Sequence, residues 1–188
     1  MMPPEEQARA NFYGLLARLF YSPPDAALLE GIGGETLEGD LAEPWQGLKS
    51  AAAGADPEAV REEYESAFIG TGKAPVTLYT TAYLIRYSNE APLAELRGEL
   101  ARLGLARRAE TREPEDHIAA LCDVMRHLVA KQNAALEEQR RFFNRWIAPA
   151  IDPLCGAIER SDKTAFYKPV ARFANAFLTL ERLAFEML

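Results

Sequence analysis

The 188-residue sequence has few of the residue types that covalent catalysis and metal binding need. It contains two cysteines and two histidines, and none of its few serines lies in a Gly-x-Ser-x-Gly context. Cys122 and Cys155 have no second Cys or His at zinc spacing, so the sequence favours neither a disulfide framework nor a structural zinc site. A Ser-His-Asp triad would have to recruit one of only two histidines.

Long apolar runs and an excess of positive charge are also missing. No stretch of about 18 residues is free of charge, which argues against a transmembrane helix and against stable membrane insertion. Glu5 and Glu6 stand where a secretory signal carries positive charge, so we expect no targeting segment and a cytoplasmic location. Lys and Arg number 21 against 28 Asp and Glu, and the net charge of −7 argues against nucleic acid as a partner. A basic partner suits this charge better.

Apolar residues at helical spacing run through most of the chain and predict an all-α fold. Hydrophobic residues make up 48% and charged residues 26%, which is typical of a globular protein. We expect one domain over residues 1–188, a helical bundle of about nine helices. The clearest apolar stripes begin at Phe12, Val60, Leu93, Ile118, Leu136, Ile151 and Phe166.

The segment from Ile69 to Tyr79 interrupts the helical period with two glycines and a proline. Such a stretch in a compact helical protein is typical of a functional loop. Its Gly70-Thr71-Gly72-Lys73 string is similar to the sequence of a phosphate-binding loop. A Walker motif, however, needs four residues between the glycines and Ser or Thr after the Lys. Ala74 follows instead, so we exclude nucleotide binding by this motif.

The two histidines are the next candidates for a metal or acid/base site. His117 and His127 lie ten positions apart on one predicted helix. At about 1.5 Å per residue, their backbones are roughly 15 Å apart. They cannot share a metal ion, and we expect neither a metal site nor a cofactor.

The string Glu113-Pro114-Glu115-Asp116-His117 groups the strongest polar candidates. Its pattern predicts a helix that begins at Pro114, with Glu113 as the N-cap and Asp116 accepting backbone N–H groups at the third helical position. Capping explains Glu113, Pro114 and Asp116 but does not require His117. The alternative is a polar cluster that binds a partner's arginines through charge-assisted hydrogen bonds. The residues by themselves leave both interpretations open.

This string, at the start of an apolar helix, resembles the signature of the TorD/DmsD family of cytoplasmic redox-enzyme maturation chaperones. The resemblance covers residues 10–185 and includes Tyr64-Glu65-Ser66-Ala67-Phe68-Ile69-Gly70, Tyr79-Thr80-Thr81-Ala82-Tyr83, Phe142-Phe143 and Phe166-Tyr167. The chain departs from the family at Leu78, where Pro is frequent, and at Tyr64 and Tyr79, where Trp is frequent.

The resemblance implies an all-helical chaperone that binds the twin-arginine signal peptide of a molybdenum-containing oxidoreductase and holds the apoprotein until its cofactor is inserted. It also implies which residues form the peptide groove. The apolar part would contain Tyr64, Phe68 and Tyr79, and the polar end Glu113, Pro114, Asp116 and His117. The family includes domain-swapped dimers as well as monomers, and residues 106–112 are the hinge we expect for such a swap.

Two other functions stay open at the level of the sequence. A nitrate-reductase assembly chaperone has a similar fold and acts on the catalytic subunit of a membrane-bound enzyme, although the intact Glu-Pro-Glu-Asp-His string favours the TorD/DmsD chaperones. An enzyme could use Asp116 and His117 as an acid/base pair. Few other features of the sequence indicate a catalytic site at these two residues, so we expect a protein that is not an enzyme.

Overall fold

The structure is a computed structural model that describes residues 2–33, 36–84, 91–131 and 135–188. The prediction of an all-α fold is confirmed, with ten α-helices in these ranges against the expected nine or so. They are α1 Pro4–Tyr21, α2 Ala26–Ile32, α3 Ala42–Ala53, α4 Pro57–Tyr64, α5 Thr81–Leu84, α6 Pro92–Arg102, α7 Ile118–Ala130, α8 Leu136–Trp146, α9 Ala148–Arg160 and α10 Tyr167–Glu186. A 3-10 turn, Gly39–Leu41, precedes α3, and a π-helical turn, Glu65–Ile69, continues α4. No helix of these ranges is long and apolar enough to cross a membrane.

Contacts divide the chain into two compact units, each built from two segments. The first unit contains Met1–Ala17 and Leu78–Ala150, and the second contains Arg18–Thr77 and Ile151–Leu188. The boundaries fall within α1, within α9 and at the end of the loop that follows the π turn. The expectation of one domain over residues 1–188 stays a prediction.

In the first unit, α7 supplies the centre of the core and α6 is linked to α8. Leu121 and Met125 of α7 are fully buried, as the apolar stripe of that segment predicts. The indole N–H of Trp146 in α8 donates to the Glu99 carboxylate of α6 at 2.8 Å. The Arg141 guanidinium donates to the other oxygen of Glu99 at 3.2 Å. The carboxylate therefore joins the two helices through one buried aromatic ring and one exposed cation.

In the second unit, α3 packs along α10, with the rings of Trp45 and Phe173 5.1 Å apart. Glu63 of α4 binds the beginning of α10. Its two carboxylate oxygens accept the backbone N–H groups of Phe166 at 3.0 Å and Tyr167 at 2.8 Å. The first N–H groups of a helix have no partner within the helix, so a distant side chain caps α10.

The start of α7 corrects the prediction made from the acidic string. The helix begins at Ile118 instead of Pro114, and its N-cap is His117 instead of Glu113. Residues 114–117 form a turn in which the His117 N–H donates to the Pro114 carbonyl at 3.2 Å. Asp116 therefore precedes the cap and is not the third helical residue. The local pattern is compatible with a helix here, but the backbone on both sides of His117 is hydrogen-bonded to residues 78–80 instead.

Candidate functional site

The seven residues predicted to bind a peptide are divided between the two units. The second unit contains Tyr64 and Phe68, and the first contains Tyr79, Glu113, Pro114, Asp116 and His117. Each group has its own surroundings.

Tyr64 and Phe68 lie in the aromatic core of the second unit. Their exposed fractions are 6% and 9%. The Tyr64 hydroxyl lies 3.0 Å from the carbonyl oxygens of Phe20 and Tyr21 at the end of α1. The ring of Tyr167 lies 5.8 Å from the ring of Tyr64 and 4.8 Å from that of Phe68, measured between centroids. Both residues pack the core of this unit, and their contact with a peptide stays a prediction.

The loop predicted after Ile69 is confirmed as a segment without helix, since residues 70–78 belong to no helix. Gly70 leaves the π turn with a φ of 63°, and a Cβ at this position would lie 3.3 Å from the Pro75 side chain. Glycine suits both the backbone conformation and the close approach. Val76 then donates its N–H to the Ala67 carbonyl at 3.0 Å, which ties the loop back to the π turn.

In the first unit, an isolated antiparallel bridge between Tyr79 and His117 brings two distant segments together. The Ile118 N–H donates to the Leu78 carbonyl at 2.8 Å, and the Thr80 N–H donates to the Asp116 carbonyl at 2.9 Å. This pairing determines where α7 can begin, because it holds the backbone around His117 extended, with a ψ of 133°. It also places residues 78–81 against the acidic string.

Asp116 is almost fully buried beside this bridge, with 4% of its surface exposed. Its Oδ2 accepts a hydrogen bond from the Thr81 hydroxyl, and its carbonyl also accepts from the Thr80 hydroxyl at 3.2 Å. Within the part of the chain that the structure describes, Oδ1 has no hydrogen-bond partner. Burying a carboxylate oxygen without a hydrogen bond raises the free energy of the folded state. A donor from a binding partner that reached this atom would therefore bind favourably.

His117 is 3% exposed and caps α7 with its side chain. Its Nδ1 accepts the backbone N–H of Ala119 at 3.2 Å, so the hydrogen of the neutral ring is assigned to Nε2. Burial lowers the pKa of His117 below its usual 6.5, against the opposing effect of the Glu113 and Asp116 carboxylates. With Nδ1 occupied by the helix backbone and the ring neutral, the pair Asp116 and His117 lacks the arrangement of an acid/base dyad.

Tyr79, which the resemblance assigns to the apolar part of the groove, contacts two residues assigned to its polar end. Its hydroxyl donates to Glu113 Oε2 at 2.6 Å, and its ring meets that of His117 edge-on at a centroid distance of 5.5 Å. The hydrogen bond to Glu113, together with partial burial and the charges of Glu113 and Asp116, raises the pKa of Tyr79 to about 12. The residue is 37% exposed, so solvent and a partner reach it.

The three carboxylates of the string have different surroundings. Glu115 forms ion pairs with Arg97 at 3.1 Å and Arg107 at 3.9 Å. Burial raises the pKa of Glu115, but its own backbone N–H and the guanidinium of Arg97 outweigh that effect and hold the pKa below its usual range. Among the described residues, no Lys or Arg forms an ion pair with Glu113 or Asp116. Within the described ranges, Glu115 is thus paired with cations of the protein, whereas Glu113 and the buried Asp116 are not.

Sequence reasoning did not identify Thr80 and Thr81 as parts of this site. Both appear in the string that carries the family resemblance, but only the bridge reveals that they contact Asp116. Among the described residues there is no group of three or more His, Cys, Asp or Glu side chains that could hold a metal ion.

The chain is similar to proteins of one known family. The family model described as nitrate reductase delta subunit matches residues 35–156. Chaperone protein TorD of Aliivibrio fischeri is 30% identical to the chain, and that of Aliivibrio salmonicida is 31% identical, each match covering 63% of this chain and 60% of the relative. Chaperone protein TorD of Photobacterium profundum is 26% identical, covering 61% of this chain and 58% of the relative. The chain thus spans no more than about three fifths of the length of these relatives. Because the family model covers more than half of its residues, the chain belongs to the nitrate reductase delta subunit family, and its predicted kinship with the TorD-type maturation chaperones is confirmed.

Proposed function

We propose that this chain is a cytoplasmic assembly chaperone that binds the twin-arginine signal peptide and the apo form of a molybdenum-cofactor oxidoreductase, and holds that enzyme for cofactor insertion. The chaperone names of the curated relatives support an assembly role and support the prediction that the chain is not an enzyme. The family description supports a redox enzyme as the client.

The unpaired Oδ1 of Asp116 is the observation that carries the peptide-binding part of this proposal. A guanidinium offers several N–H donors in a planar fork, and its hydrogen bonds to a carboxylate are charge-assisted. Such a group would satisfy the buried oxygen and neutralise the charge. Glu113 supplies a second carboxylate with no ion pair among the residues that the structure describes, and the net charge of −7 favours a basic segment.

The remaining predicted residues take different parts in the proposal. Pro114 and the ring of Tyr79 offer apolar surface beside the carboxylates. His117 holds the start of α7 and, with it, the position of Asp116. Tyr64 and Phe68 stay proposed contacts for the apolar part of the peptide, but a peptide would reach these buried rings only after the side chains around them move.

Titration calorimetry with synthetic peptides tests the proposal directly. A peptide with the signal sequence of a molybdoenzyme encoded beside this chain should bind saturably. A matched peptide with both arginines replaced by glutamine should bind at least tenfold more weakly, because hydrogen bonds to charged groups contribute about 1.5–3 kcal/mol each. Equal binding of the two peptides, or no heat with either peptide at high micromolar concentration, contradicts the proposal.

A second candidate is a chaperone for the catalytic subunit of a nitrate reductase, which the description of the matching family favours. It differs from the first in its client, since the client segment need not carry paired arginines. Co-purification with a catalytic subunit whose arginine pair is replaced by glutamine distinguishes the two. Retention of that variant supports the second candidate, and loss supports the first.

We also propose that the chain acts as a monomer or as a domain-swapped dimer with residues 106–112 as the hinge. This segment lies between α6 and α7. Arg107 spans it with a hydrogen bond to the Thr111 carbonyl at 3.0 Å. Light scattering of the purified chain at several concentrations measures the state, and a proline at an exposed hinge position, Ala109→Pro, should change the ratio of dimer to monomer.

A further inference from the structure

We infer that the Tyr79 hydroxyl is a positioning group that holds the Glu113 carboxylate for an arginine of the bound peptide. This inference rests on the proposed function. It moves Tyr79 from the apolar part of the peptide site to the machinery that recognises positive charge.

The Tyr79 hydroxyl and the Glu113 carboxylate form a short hydrogen bond. The Tyr79 hydroxyl lies 2.6 Å from Glu113 Oε2, a distance typical of a hydroxyl that donates to an ionised carboxylate. The bond raises the pKa of Tyr79, as expected when the protonated hydroxyl is the donor. Glu113 has no ion pair among the described residues, so this hydrogen bond is what orients its carboxylate.

Tyr79 is itself held in place. The backbone bridge to His117 fixes its main chain, and the ring rests edge-on against the buried imidazole at 5.5 Å. A tyrosine anchored in this way is a rigid donor. Its hydrogen bond restricts the Glu113 side chain, which would otherwise sample several rotamers. The ordered carboxylate therefore loses less conformational freedom when a guanidinium binds.

The Glu113 carboxylate can accept further hydrogen bonds besides the one from Tyr79. A carboxylate oxygen can accept more than one hydrogen bond, so the Tyr79 contact at Oε2 leaves Oε1 and a further site on Oε2 available. Tyr79 and an arginine can thus bind Glu113 at the same time. Asp116 lies in the turn that directly follows Glu113, and two carboxylates so close along the chain are suited to a peptide with neighbouring arginines.

A double-mutant cycle tests the inference. Fluorescence anisotropy with the twin-arginine peptide would compare the wild-type chain, Tyr79→Phe, Glu113→Ala and the double variant. Tyr79→Phe keeps the ring against His117 and should weaken binding about two- to tenfold, the equivalent of about 0.5–1.5 kcal/mol for ordering one side chain. In the Glu113→Ala background the same change should have no effect, because there is no carboxylate left to position.

Tyr21→Phe is the matched control, since it removes the hydroxyl of another exposed tyrosine, 49% accessible, and should leave affinity unchanged. An equal loss from Tyr79→Phe with and without Glu113 would mean that the hydroxyl contacts the peptide directly, and would overturn the inference while the proposed function stands. No loss in the wild-type background also overturns it. Failure of the wild-type chain to bind the peptide overturns the proposed function and this inference together.

A spectroscopic readout separates positioning from a purely structural role. In Glu113→Ala the Tyr79 hydroxyl should titrate below the pKa of about 12 of the wild-type chain, because the hydrogen bond and the charge of Glu113 are lost while burial and Asp116 still act on it. Carbon-13 NMR of labelled tyrosine follows this ionisation. An unchanged Tyr79 titration in the variant would contradict the coupling of the two groups.

Discussion

The imidazole of His117 accepts the backbone N–H of Ala119 at 3.2 Å and so caps α7 with a nearly buried histidine. Histidine is not among the usual residues at this position, and the sequence pattern assigned the cap to Glu113 because Pro114, a residue favoured at the first helical position, follows it. The histidine holds the beginning of the helix and the turn that carries Asp116. The stability of the fold and the geometry of the acidic site are therefore coupled through one side chain.

Loss of the cap should be measurable. His117→Ala should lower the free energy of unfolding by about 0.5–2 kcal/mol, the usual cost of removing an N-cap side chain. His117→Asn is the matched control, because asparagine caps helices well and should retain most of the stability. Urea denaturation monitored by circular dichroism makes the comparison. Equal stability of wild-type and alanine variants would show that the hydrogen bond to Ala119 contributes nothing.

The same histidine should make stability depend on pH. Its pKa in the folded chain is lowered by burial, so below about pH 6.5 the unfolded chain takes up a proton more readily than the folded one. The contribution of the neutral His117 to the free energy of unfolding is complete above pH 6.5 and is lost as the pH falls toward the folded-state pKa. The melting temperature, measured at several pH values between 5 and 8, should therefore decrease more steeply toward acidic pH for the wild-type chain than for His117→Asn. Parallel curves would contradict the prediction.

Asp116 should contribute more to binding than to folding. Asp116→Asn keeps an oxygen for the Thr81 hydroxyl and removes a buried charge, so stability should be equal or slightly higher. Affinity for the twin-arginine peptide should fall about tenfold or more, because the charge-assisted hydrogen bonds are lost. Calorimetry and thermal melting on the same preparations test both effects. Unchanged affinity would leave Asp116 with a structural role only.

Glu63 should be important for the second unit. Its carboxylate accepts two backbone N–H groups at the start of α10, and Glu63→Ala leaves both without that partner. Hydrogen bonds to charged groups contribute about 1.5–3 kcal/mol, so we expect a loss of at least about 2 kcal/mol in unfolding free energy. Glu62→Ala, at the adjacent exposed position, is the control and should change stability little. Similar losses in both variants would argue against the cap.

Much of the helical framework was predictable from the sequence. The apolar stripe from Phe166 to Ala184 predicts α10, and Asp56 followed by Pro57 predicts the beginning of α4. These features depend on residues three or four positions apart, so the pattern of a single segment contains the information. The family resemblance likewise lies in short strings, and the comparisons confirm it.

The site depended on contacts that no local pattern contains. The start of α7 at Ile118 follows from backbone hydrogen bonds to Leu78 and Thr80, nearly 40 positions away. The same bridge brings Tyr79 into contact with Glu113 and His117. Capping motifs describe hydrogen bonds within one turn of a helix. Here the backbone groups of Asp116 and Ile118 are instead hydrogen-bonded to a segment that is distant in the sequence. The sequence by itself therefore determined most of the helices, the loop and the family, and only the tertiary structure decided where α7 begins and which side chains meet at Asp116.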